Sequence, residues 1–166
     1  MKNQEKNNNK SFLFLILFLL SSSIISLQTL KKVNIQDIRI SGSELFSAND
    51  VVKNSSLILP IRLIFIKTKF LEKELKQNLS LRNVSVNRQI FPFGLEIHVN
   101  PRIPIAFGEK ILNNKKILGF IDKDGIFISK QNTDEKSLKD ITIKVFGWKE
   151  KYKKVLSEIL IAQDYY

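Results

Sequence analysis

The chain has 166 residues, 43% of them apolar, with no cysteine, one histidine (His98) and a formal net charge of +11. That length holds one domain, or two small ones behind a leading segment. Disulfides, thiolate metal sites and cysteine nucleophiles are excluded, and a lone histidine removes most Ser-His and histidine-rich metal chemistry.

Residues 1–10 are polar and basic and read as a cytoplasmic tail. No charged residue falls in residues 11–30, and Phe12 to Leu20 are all large and apolar. This approaches the roughly 20 residues that a bilayer-spanning helix needs, so 11–30 is expected to be a transmembrane signal anchor. The rival is a cleaved signal peptide, which a short dense apolar core followed by serines would suit. Against it, Ile24, Ile25, Leu27 and Leu30 extend the apolar character, and no Ala-x-Ala pattern follows. Lysines flank both ends, so the positive-inside rule does not fix an orientation. A short tail, one span and a larger following domain suggest the N-terminus in the cytoplasm and the domain outside. The expectation is a single-pass protein of the inner (plasma) membrane, with the lipid bilayer as a partner through 11–30.

Asn34 to Gly42 alternates, with Ile35, Asp37 and Arg39 against Ile38 and Ile40, and reads as a strand ending at Gly42. Ser47 followed by Asp50 marks the start of a short helix through Val51 and Val52. Leu57 to Ile66 carries eight large apolar residues in ten. It is too short to cross a bilayer and is broken by Pro60, so it reads as a buried connection, with a membrane-surface contact as the alternative. Leu71, Leu75 and Leu79, with Phe70 beside them, form the apolar stripe of a second helix. Thr68 is the expected N-cap, and Glu72 and Lys76 an exposed i, i+4 pair.

Val84 and Val86 alternate with polar neighbours, as do Leu95, Ile97 and Val99. Between them Phe91-Pro92-Phe93-Gly94 suits a type I turn, so the two segments form a hairpin with one buried face. His98 falls on the polar face with Glu96, solvated. The order strand, helix, helix, strand, strand makes an α+β layer with helices on one face of a small sheet.

Asp122-Lys123-Asp124-Gly125 lies between apolar runs and reads as a hairpin corner. A calcium loop would need alternate acids, glycine at the sixth position and glutamate at the twelfth; here Gly125 follows the second acid directly and residue 133 is Thr. Ile141 to Phe146 reads as a strand, and Val155, Leu156, Ile159 and Leu160 as a helical stripe. The densest positive run, Lys149, Lys151, Lys153 and Lys154, is interrupted by Glu150, and a solvated basic surface explains it; attraction to anionic lipid or nucleic acid is the sharper alternative. The sequence holds no glycine-rich phosphate loop, nucleophile elbow or metal cluster, so no enzyme activity, cofactor, nucleic acid or small-molecule substrate is expected.

Several stretches together resemble a POTRA (polypeptide-transport-associated) domain and, more narrowly, the FtsQ/DivIB family of bacterial cell-division proteins. They are IRISGSELFSANDVV, FLEKELKQNLSLRNVSVNRQIFPFGLEIHV, VNPRIPIAF and GFIDKDGIFI. The matching positions are Gly42, Arg88, Pro92, Arg102, Pro104, Ala106, Asp122 and Gly125; Pro101 stands where the family usually has Glu. The resemblance implies an N-terminal transmembrane helix, a POTRA domain (β-α-α-β-β) over 33–102, and a shortened β-rich second domain over 103–166 that ends in a helix. Arg102-Ile103-Pro104 would join the two, held extended by its prolines. The later strands of the family's second domain have no counterpart here, which a shortened domain or a fragment would explain.

By resemblance the function is that of a non-enzymatic bitopic scaffold of the divisome at the septum, with FtsB/FtsL-like division proteins as partners. The family's partner contacts are attributed to late strands with no matching positions, so no partner-binding residue carries over. The alternative is a POTRA-type factor in protein transport or outer-membrane assembly.

Overall fold

A computed structural model describes residues 12–23, 26–27, 31–133, 138 and 141–163. Residues 12–23 are helical (α1), with their large apolar side chains exposed. No described helix is long and apolar enough to cross a membrane. The expected transmembrane segment at 11–30 is therefore corrected; Ser11, Ile24, Ile25 and residues 28–30 of it lie outside the described residues, as does the expected cytoplasmic tail at 1–10. The bitopic architecture, the bilayer as a partner through 11–30 and the single-pass inner-membrane topology are corrected with it.

The rest is α+β, as the residue pattern implied. Lys32–Val33 (β1) pairs antiparallel with Ile61–Arg62 (β3) in a small ribbon. Ile38–Ser41 (β2), Asn83–Gln89 (β4) and Gly94–Asn100 (β5) form a three-stranded sheet in the order β2-β5-β4. β4 and β5 are an antiparallel hairpin, with Val84 opposite Val99 and Val86 opposite Ile97. β2 lies parallel to β5, which requires a crossover, supplied here by Ala48–Lys53 (α2) and Thr68–Asn78 (α3). The period-2 pattern puts Ile38, Val84, Val86, Leu95, Ile97 and Val99 on one face, where they pack with Val51, Leu71 and Leu75 of the helices. The opposite face is polar: the Ser41 hydroxyl meets His98 Nδ1 at 3.2 Å, and Gln89 Nε2 donates to Glu96.

Local chemistry moves several boundaries. The expected strand at Asn34 begins only at Ile38, because Asn34 and Asp37 cap each other around a 3-10 turn, Asn34 N–H donating to Asp37 Oδ2 at 2.8 Å. Ser47 and Asp50 do form a reciprocal capping box on α2, with the shorter acid in the glutamate position. Thr68 lies inside α3 and is not its cap; Lys67 holds that position without a side-chain cap bond. Leu71, Leu75 and Leu79 are buried as their spacing requires, whereas Phe70 is 53% exposed, one residue off the stripe. In the 57–66 connection only Leu57, Leu63 and Ile66 are buried, while Ile58, Ile64 and Phe65 face outward.

The remaining strands form a second, four-stranded sheet. Pro104–Leu112 (β6) and Lys115–Asp122 (β7) form a hairpin, and Phe127–Ser129 (β8) returns antiparallel on β7. Ile143–Val145 (β9) runs parallel to β6 at its other side. Lys153–Gln163 (α4) closes this core with Leu160, which packs with Ala106, Ile121 and Phe127. The expected four-residue stripe of α4 splits: Leu156 and Leu160 turn inward, Val155 and Ile159 outward.

Candidate functional site

Backbone groups left open at the rim of a sheet are the natural docking chemistry of a small α+β layer. The three-stranded sheet has two rims, and the fold treats them differently. Along β4, α3 lies close enough for Glu72 Oε1 to accept the Val86 N–H at 2.9 Å. Glu72 is thus not the exposed partner of Lys76; it is held against the strand and paired with Lys69 at 3.0 Å. Burial pushes its carboxyl up, but the Val86 N–H and Lys69 outweigh this, and its pKa is lowered overall. The Asp50 pKa is lowered too, first by the Ser47 hydroxyl and then by the Ser47 N–H. Along β2, among the described residues, β5 pairs with one side and no strand with the other. That rim is four residues long and carries the exposed Arg39, features that limit indiscriminate pairing.

The second feature is a polar clamp. Arg102 and Asp122 are 8% and 4% exposed at their side chains and joined through Nη1 and Oδ2. The same Nη1 lies 3.0 Å from Asp124 Oδ2. The other oxygen of Asp122 accepts the N–H groups of Asp124 and Ile126 at 3.0 and 2.8 Å. A guanidinium from the segment between the sheets therefore grips the β7–β8 corner, and the aspartate is satisfied on both oxygens. The corner closes with Gly125 N–H donating to the Asp122 carbonyl at 2.9 Å. Gly125 has φ +72°, and a Cβ there would sit 2.2 Å from the Lys153 carbonyl oxygen. Trp148 Nε1 donates to the Gly125 carbonyl at 2.9 Å and Ser157 Oγ to that of Lys123 at 2.7 Å, docking the corner on the C-terminal segment.

The eight motif positions thus separate. Arg102, Asp122 and Gly125 converge on the clamp. Pro104 and Ala106 begin β6 beside it, buried, with an irregularity in the β6–β7 register between them. Gly42 follows β2 with φ +89°, where a Cβ would lie 2.2 Å from the Val99 carbonyl oxygen. Pro92 is in the β4–β5 corner, its preceding peptide cis. Its carbonyl accepts from Arg39 Nη2 at 2.8 Å, and Arg88, also a motif position, has its side chain exposed on β4. Arg39, Glu72, Trp148 and Ser157 carry contacts that no local pattern pointed to, since each reaches a backbone group fourteen to fifty-three positions away. Among the described residues no three His, Cys, Asp or Glu side chains gather as a metal site.

Comparison with known proteins agrees with this geometry. Residues 33–102 match the POTRA domain, FtsQ-type. The cell division protein DivIB of Brevibacillus brevis is 24% identical over 104 residues, which cover 63% of this chain and 39% of that protein.

Proposed function

Because this chain is an FtsQ/DivIB-type protein with a POTRA domain over residues 33–102, we propose that it is a non-enzymatic scaffold of bacterial cell division that binds other division proteins. The supporting observation is the asymmetry of the POTRA sheet. At the β4 rim Glu72 takes the Val86 N–H, whereas among the described residues no strand pairs with the outer side of Ile38–Ser41. An extended segment of a partner adds there as a fourth strand, with main-chain hydrogen bonds supplying affinity and side-chain pockets supplying choice.

We further infer two units, 33–102 and 103–166, each with its own apolar cluster. The motif residues act structurally in this scheme: Gly42 and Pro92 shape the ends of the first sheet, and Arg88 lies on its β4 strand. Arg102, Pro104, Ala106, Asp122 and Gly125 fix the second unit to it. Asn132 Nδ2 adds a direct tie, donating to the Leu79 carbonyl at 3.0 Å.

The test is capture of FtsB/FtsL-like division proteins from the same organism by the immobilised full chain. Retention through washing in about 0.3 M salt is expected, since main-chain pairing is not screened as exposed charge pairs are. Loss of all capture at that salt, with binding only at low ionic strength, would reduce the association to the general attraction of a basic protein.

A further inference from the structure

Four lysines from three separate elements meet in one open cleft between the two units. Lys73 and Lys76 come from α3, Lys110 from β6 and Lys153 from the start of α4. Arg102 and Trp148 complete its walls, and its volume is about 550 Å³, within the size range of ligand sites.

The charge in this cleft is only partly balanced. Arg102 is matched by Asp122 and Asp124. Glu150 lies 3.9 Å from Lys153 and is 75% exposed. Among the described residues Lys73, Lys76 and Lys110 form no ion pair; Lys110 instead stands 4.3 Å from the centroid of the Phe127 ring and 5.9 Å from that of Trp148. Five cations and one carboxylate, Glu150, line a concave, partly apolar setting, with Asp122 and Asp124 outside it on Arg102, and this concentrates the positive field. None of this follows from the lysine run at 149–154, of which only Lys153 lines the cleft.

We propose that this cleft binds a phosphate-bearing anion. Lysines supply point charges suited to a multivalent phosphoryl group, and a cleft this size takes more than a single carboxylate. The Trp148 indole gives the remainder of the ligand a flat apolar wall. This rests on the cleft alone and stands apart from the scaffold role. The phosphate could belong to a soluble molecule or to a lipid headgroup.

Trp148 is the single tryptophan of the chain, so its fluorescence reports on the cleft directly. The full chain is titrated with pyrophosphate, with sodium chloride at matched ionic strength, and with vesicles of phosphatidylglycerol or of phosphatidylcholine. A saturable change with pyrophosphate assigns a soluble ligand; one confined to phosphatidylglycerol vesicles assigns a headgroup. In either case Lys73→Glu/Lys76→Glu weakens the response at least tenfold, and Lys144→Glu, outside the cleft, leaves it unchanged. Both helix lysines are exposed, and circular dichroism of the variant checks that it folds. The proposal is overturned if chloride reproduces the change, if neither probe produces one, or if the double variant responds as the parent does.

Discussion

Arg102 shows how much one side chain can decide. Its guanidinium and the Asp122 carboxylate are both buried, and each is expensive to leave alone in that setting. Replacing Arg102 with Met leaves Asp122 buried with only backbone donors, and the expected loss is about 3 kcal/mol of folding stability in urea unfolding. A loss below about 1 kcal/mol would mean that the Asp124 and Ile126 N–H groups suffice for Asp122. The sequence showed Asp122 and Gly125 as a corner because Asp-Gly between apolar runs is a local signal. It placed Arg102 only as part of a proline-rich joint, because twenty positions of chain separate the guanidinium from its aspartate. Asn113 and Asn114 are a different kind of miss. Both take positive φ at the β6–β7 turn, and an Asn-Asn pair is a weaker signal for that turn than Asn-Gly.

At the scale of elements, period carried most of the legible information. The alternation in β4 and β5 and the i, i+4 spacing of Leu71, Leu75 and Leu79 each put the right face into the core. What period could not show is which polar residue an element turns toward its neighbour. Glu72 has the spacing of a surface ion pair with Lys76, yet α3 packs on β4 and the carboxylate finds the Val86 N–H. Because its folded pKa is lowered, Glu72 contributes stability that is fully present above its unfolded pKa. That contribution is lost as pH falls through the lowered folded value, and Asp50 adds a contribution of the same sign. Thermal midpoints measured from pH 6 down to pH 3 should therefore fall in the parent and fall less steeply in Glu72→Gln. Parallel curves would remove Glu72 from the account of the β4 rim. The same helix–strand contact explains why Phe70, one position from the stripe, remains outside: α3 buries a narrow face on a narrow sheet.

For the molecule as a whole, the Arg102–Asp122 pair and the Asn132 bond to the Leu79 carbonyl tie residues from before and after Ile103 together. The order β2, α2, α3, β4, β5 was legible, as were the strands around Asp124-Gly125, because each carries its own pattern; β6, read only as an extended joint at its start, and the short β1–β3 ribbon were not. The pairing of β2 with β5, the parallel placement of β9 on β6 and the lysine cleft were not, since each depends on where the chain returns. The apolar run at Phe12 to Leu20 misled in the opposite direction, because hydropathy alone suggested a span that no described helix is long enough to make. The most direct measurement is hydrogen–deuterium exchange of the full chain with and without FtsB/FtsL-like division proteins. Slowed exchange at Ile38–Ser41, with Asn83–Gln89 unchanged, is the result this account predicts. Binding that leaves Ile38–Ser41 exchanging as in the free chain, or no binding at all, would contradict it.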